Sequence, residues 1–215
     1  LQGTLRLSTS VDHAVHSAAP ALARFAELHP DLRIELRTSD RIVDLVAEGI
    51  DIAIRIGWLR DSSLHAVKLG VFEQVLVASP DYLRRRGVPR HPRDLAQHDW
   101  IALSLLRAPL TWKLASRNGT EISVHVKSRM HVDSPGALRA LLQSGAGISV
   151  LDKPSASDPI RGGQLVPLLQ GWRLQGGGIY AVYPPGPRVS ARSRAFTEFY
   201  RSYLAGTGSR APTTT

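Results

Sequence analysis

The 215 residues carry 27 Lys and Arg against 18 Asp and Glu, a formal charge of +9, with 43% hydrophobic and 21% charged residues. That balance suits an ordinary globular chain with core enough for one domain or two small ones, and no apolar run approaches the length that spans a bilayer. The complete absence of cysteine excludes disulfides, thiol nucleophiles and Cys-based metal or redox sites.

Leu5 and Leu7 alternate with Arg6 and Ser8, predicting a short strand that ends in the polar loop STSVDH. Pro20 suits a first helical turn, with Leu22, Phe25 and Leu28 as the apolar stripe up to His29-Pro30. A second alternation, Leu32, Ile34 and Leu36 against Arg33, Glu35 and Arg37, leads into Thr38-Ser39-Asp40 as a helix start. The stretch VDLVAEGIDIAIRIG, Val43 to Gly57, changes period in its middle. Ile42, Val43, Leu45 and Val46 recur at helical spacing, whereas Ile50, Ile52, Ile54 and Ile56 alternate with Asp51, Ala53, Arg55 and Gly57. A helix stopped at Gly49, where positive φ is needed, is thus predicted to feed a strand, and the β-α-β-α-β order implies parallel pairing.

Val75 to Ala78 is the next apolar run, and Ser79-Pro80-Asp81 opens a helix ending near Gly87. The only arginine run, Arg84 to Arg86, then complements the dipole of a last helical turn. That placement, with sparse aromatics, argues against a nucleic-acid platform despite the positive charge. After the apolar Trp100 to Leu103, Asn118-Gly119 in WKLASRNGTEISVHV predicts a tight hairpin with two positive φ values. Asp133-Ser134-Pro135 opens the helix GALRALLQSGAG, with Ser134 as N-cap. Ile148 to Leu151 and Leu165 to Leu169 read as short strands; Gly176 to Gly178 precede a final strand IYAVY, then a helix from about Ser190 to Leu204 and a mobile tail over 206–215.

Enzymatic chemistry finds no support. There is no G-x-S-x-G for a nucleophile, no HExxH and no i, i+4 spacing in His13 and His16 for a metal. SGAGIS runs from helix to strand where a phosphate loop runs from strand to helix, so no cofactor is implied. What recurs is strand, polar residues, helix: at Ser10 to His13, at Thr38 to Asp40 and at Asp133 to Pro135. In an open parallel sheet such loops lie at the carboxyl ends of strands, where helix N-termini offer unpaired N–H groups to ligands. Ser39, Asp40, Ser134 and Asp12 serve equally as caps of their own helices. Arg55, near the carboxyl end of its strand, is placed to meet an anion.

These residues carry a resemblance. PALARFAELHPDLRIELRTSDRIVDLVAEGIDIAIRIG, DSSLHAVKLGVFEQVLVASPDYL, ALRALLQSGAGISVL and IYAVYPP with RSRAFTEFYRSYL together resemble the effector-binding domain of LysR-type transcriptional regulators, over nearly all of Gly3 to Leu204. The resemblance implies a type 2 periplasmic-binding-protein fold, α/β with two Rossmann-like subdomains, 1–75 plus 180–205 and 76–179, and a small polar or anionic effector in the cleft between them. Family effectors touch the loop after the first strand, here Ser10, Asp12 and His13, and the start of the second helix, here Ser39 with Asp40; Gln74 and Ser134 are the further carry-overs. A cytoplasmic regulator is implied, not an enzyme. Its domain pairs as a homodimer (a tetramer in the full-length protein), has no membrane partner and leaves DNA contact to a winged helix-turn-helix that this sequence lacks. A free-standing periplasmic solute-binding protein is the alternative. One departure is Asp152-Lys153-Pro154, where the family commonly has proline directly after the GISVL-like strand.

Overall fold

The computed structural model describes residues 1–58, 65–186 and 188–208. The motif Asp61 to Leu64 and the expected tail beyond residue 208 lie outside the described residues. In chain order the elements begin with β1 (Gly3–Thr9), α1 (Val11–His13), a π-helical stretch (Ala14–Ala18), α2 (Ala19–Leu28), β2 (Leu32–Thr38), β3 (Ile52–Gly57) and β4 (His65–Phe72). There follow β5 (Gln74–Ala78), α3 (Pro80–Arg86), a 3-10 turn (Pro92–Gln97), β6 (Trp100–Leu103), β7 (Thr111–Ser116), β8 (Glu121–His125) and β9 (Ser128–Val132). The remainder is α4 (Pro135–Gln143), β10 (Ile148–Asp152), α5 (Lys153–Arg161), β11 (Val166–Pro167), β12 (Trp172–Leu174), β13 (Gly177–Tyr183) and α6 (Ala191–Gly208). The chain divides into two compact units, Leu1–Phe72 with Gly177–Thr215, and Glu73–Gly176.

The first unit is a five-stranded sheet in the order β2-β1-β3-β13-β4. β1 runs parallel to β2 and β3, whereas β13 is antiparallel to β3 and β4. Strand alternation sends Leu5, Leu7, Ile52 and Ile54 to one face, where Phe25 of α2 and Phe196 and Tyr200 of α6 bury them. The other face carries Ala53 and Val182, covered by Leu45 and Ile50.

Three expectations are revised here. The helix predicted before Gly49 is a single turn, held by Glu48 N–H donating to the Asp44 carbonyl at 3.1 Å and Ile50 N–H to the Leu45 carbonyl at 2.8 Å. Asp44 Oδ1 accepts from the N–H groups of Val46 and Ala47, at 2.9 and 3.1 Å, so the turn is capped from within and has no room to lengthen before Gly49, at φ 63°. Ile42 and Val46 are accordingly 95% and 62% exposed rather than on a buried stripe. The first helical run starts at Val11, well before Pro20; Ala19 N–H donates to the Ala14 carbonyl in the π-helical stretch that immediately precedes this donorless proline. α6 extends to Gly208, four residues beyond Leu204.

In the second unit a sheet in the order β11-β5-β10-β6-β9 stands with a three-stranded one, β12-β7-β8. α3 is as read from sequence: Ser79 Oγ accepts from Tyr82 N–H at 3.2 Å, and the helix stops at Gly87, at φ 80°. The β7–β8 hairpin forms, but by a different turn. Ser116 N–H donates to the Thr120 carbonyl at 2.9 Å across three residues, and only Gly119, at φ 88°, has positive φ; Asn118 instead accepts from Thr120 N–H through its side chain. Ser134 occupies the N-cap position of α4 without a side-chain cap bond. Pro167, lacking a donor, and Leu169, at φ 48°, shorten the predicted Leu165 to Leu169 strand to the two residues of β11.

At Gly147 a Cβ would lie 2.4 Å from the Asp99 carbonyl oxygen, which accepts from Ile148 N–H at 2.9 Å. Gly147→Ala must push these backbones apart, and urea denaturation should report a loss of about 1–3 kcal/mol.

Candidate functional site

The parallel strands β1, β2 and β3 bring their carboxyl ends to one edge of the first sheet. Two of them are tied together: Ser39 N–H donates to the Thr9 carbonyl, and Val11 N–H donates to Asp40 Oδ1, both at 3.0 Å. Asp40, read as a cap of its own helix, thus caps the helical run that follows β1, and its carboxylate takes up one N–H that a ligand would otherwise meet. Ser39 Oγ accepts from Arg41 N–H at 3.1 Å, which leaves its own hydrogen to donate. Ser10 adopts the N-cap conformation, φ −66° and ψ 153°, with no cap bond from its hydroxyl. The register sets Ser8 beside Ala53, so Arg55, two residues on, stands level with Ser10.

Sequence reading overlooked Thr9, whose side chain is 1% exposed and whose Oγ1 has no hydrogen-bond partner among the described residues. The hydroxyl-rich run Ser8-Thr9-Ser10 was the available signal, but which of its members faces inward depends on where β1 ends.

Asp12 and His13 turn inward, 8% and 6% exposed. Asp12 Oδ1 lies 3.6 Å from His16 Nε2. His13 Nε2 is 2.8 Å from the Tyr200 hydroxyl, itself 2.8 Å from Ser17 Oγ, forming a buried polar chain between the first helical run and α6. Burial lowers the His13 pKa to about 4, with Asp12 opposing and His16 adding to the shift; burial likewise pushes Tyr200 well above the usual phenol range, although Ser17 partly offsets it. Neither Tyr200 nor Ser17 was singled out by sequence, because their partnership spans most of the chain. Arg55 is half-buried; desolvation pulls its pKa below the ordinary guanidinium value, against the charge of Glu48.

In the second unit, Gln74 pairs in register with Asp152 where β5 meets β10 antiparallel. β10, β6 and β9 run parallel, so Gln74, Asp152 and Ser134 share one sheet edge. α5 begins directly at Lys153, with Pro154 in its first turn. No group of three or more His, Asp or Glu among the described residues is arranged to hold a metal.

Polar loops gathered at the strand ends of two α/β units define a ligand-binding domain of the periplasmic-binding-protein type. The chain belongs to the LysR substrate binding domain family, which it matches over residues 1–205. It is 40% identical over 202 residues to the HTH-type transcriptional regulator PtxR of Pseudomonas aeruginosa, covering 94% of this chain and 64% of that protein. The chain therefore spans about 64% of the length of that relative. Its fold is similar to the regulatory domain of CrgA, a LysR-type transcriptional regulator from Neisseria meningitidis (TM-score 0.82, 30% identity, 95% of this chain and 100% of that one). It also resembles the full-length Vibrio cholerae virulence activator AphB (TM-score 0.77, 28% identity, 94% and 69%).

Because His13 is charged more readily when unfolded than in its buried site, its stabilising contribution is complete above about pH 6.5 and is lost as pH falls toward about 4. Denaturant titrations between those values should show stability falling by up to about 1.4 kcal/mol per pH unit from this group. His13→Gln, which removes the titrating ring, should flatten that slope.

Proposed function

We propose that this chain is the effector-sensing part of a cytoplasmic bacterial transcriptional regulator, and that it binds a small polar or anionic organic molecule. The observation that carries this reading is the tie between the Ser10 and Ser39 loops, made by Ser39 N–H to Thr9 and Val11 N–H to Asp40. It holds two hydroxyls with unspent donors at the sheet edge where strand register also sets the cationic Arg55. Ser10, Ser39, Asp40 and Arg55 are the proposed contacts from the first unit, with the buried Asp12 and His13 following Ser10 in the same helical run. Gln74 and Ser134 are the proposed contacts from the second.

The regulatory names borne by the relatives favour a sensor over a free-standing solute-binding protein or an enzyme. In the whole protein, an N-terminal helix-turn-helix would contact DNA, and the effector would alter that contact by favouring one arrangement of the regulator over another. Pairing of this domain into a homodimer, within a tetramer of the full-length protein, completes the proposal.

A thermal-shift screen of polar metabolites tests it: a true effector at a hundred times its Kd adds about 2.7 kcal/mol to native stability. Ser39→Ala should then weaken that effector by several-fold, about 1 kcal/mol by titration calorimetry. Since Ser39 Oγ also accepts from Arg41 N–H, the unliganded stability of the variant is measured alongside. Unchanged affinity in Ser39→Ala and in Ser10→Ala would move the site elsewhere.

A further inference from the structure

The face of the first sheet opposite α2 and α6 carries a row of polar side chains of which only Arg55 has been given a role above. Arg55 on β3 is the direct partner of Tyr180 on β13, and Tyr180 is the direct partner of Lys68 on β4. Directly paired residues point to the same side of a sheet, so a guanidinium, a phenol and an ammonium stand abreast on strands about 4.8 Å apart. The row behind them, Ala53, Val182 and Ala66, is apolar and roofed by Leu45 and Ile50. In front, Gly57 and Gly178 form a bare pair, and the Tyr180 ring leans over Gly178 so closely that a Cβ there would come 2.4 Å from its hydroxyl.

None of the three polar groups has a hydrogen bond or ion pair with a described residue. Lys68 is exposed, whereas Arg55 is half-buried. The carboxylate whose charge reaches Arg55 is Glu48, which stands 3.8 Å from Arg37 in an ion pair of its own. A half-desolvated guanidinium without a bonded counter-ion among the described residues is costly unless an anion completes it.

We infer that the Arg55–Tyr180–Lys68 row is a binding site for the carboxylate or phosphate group of a small organic anion. Arg55 offers a planar fork to two oxygens, Tyr180 donates its phenolic hydrogen, and Lys68 closes over the group from the solvent side. Gly57, where an added Cβ would meet nothing within 4 Å, leaves room for the anion against the backbone beside the Tyr180 hydroxyl. This inference rests on the reading of the chain as a ligand sensor and names the charge of the ligand.

The test uses the whole chain at matched ionic strength, with sodium succinate, benzoate and phosphate as probes and succinamide and benzamide as uncharged counterparts. Thermal shift and calorimetry should show at least one oxyanion binding, with its amide counterpart silent. Arg55→Gln should weaken that binding at least 10-fold, and Lys68→Gln and Tyr180→Phe several-fold. Lys68 is exposed, so its variant reports on binding even if Arg55→Gln folds poorly. Affinity unchanged in the Arg55→Gln/Lys68→Gln double variant overturns the inference while leaving the sensor reading intact. So does a response to the amides equal to that for the acids. Silence toward every probe, in a chain that a neutral effector does stabilise, refutes the anion site alone; silence toward neutral effectors as well counts against the sensor reading too.

Discussion

The first unit depends on a hydroxyl supplied from near the other end of the chain. Tyr200 reaches His13 and Ser17 at 2.8 Å each, joining the helical run after β1 to the helix that closes the protein. Its ring also stacks on Phe196, with centroids 5.4 Å apart, inside the core that Phe25 and the β1 and β3 side chains fill. This buried polar chain is fully satisfied only while both helices lie in place, so the sequence-distant halves of the unit gain or lose it together. Burial among these groups holds His13 neutral, and the chain fixes the start of the run whose first N–H meets Asp40.

That last contact shapes the chemistry of the sheet edge. A helix start is usually favourable ground for anions, but Asp40 supplies a resident carboxylate there, and the buried Asp12 follows Val11 in the same turn. Arg55 bears the opposite sign one strand away. Among the proposed contacts, the carboxylates therefore stand beside β1 and β2 and the guanidinium beside β3, an arrangement suited to a ligand with a donor at one end and a negative charge at the other.

Much of this was legible in the residues themselves. Alternation located β1, β2 and β3, and Gly49, Gly87 and Ser79 marked ends that the backbone confirms. The polar loops were visible as loops. What local pattern lacked was partnership: nothing adjacent to Asp40 reveals that it caps the run beginning at Val11, and nothing adjacent to His13 reveals Tyr200. The turn before Gly49 misled for a related reason, because four apolar residues fit a helical period while Asp44, among them, ended the helix as it began. α5, built from KPSASDPIR, escaped notice because two prolines and two serines give it poor intrinsic propensity; its buried Ser155, Ala156 and Pro159 stabilise it through packing.

The pairing of β4 with β13 has a consequence for how such a chain is assembled. Phe72 and Gly177 are direct partners across those two strands, and Gly177 has no room for a Cβ because the Phe72 ring would lie 2.3 Å away. The whole second unit is therefore threaded between two neighbouring positions of one ladder, where an ordinary hairpin would carry a loop of a few residues. Because closing a loop grows costlier only as the logarithm of its length, a hairpin tip tolerates so large a guest. Seen this way, the first unit is a host and the second an insert, and the seam is a single glycine that lets the ladder close on both sides of it.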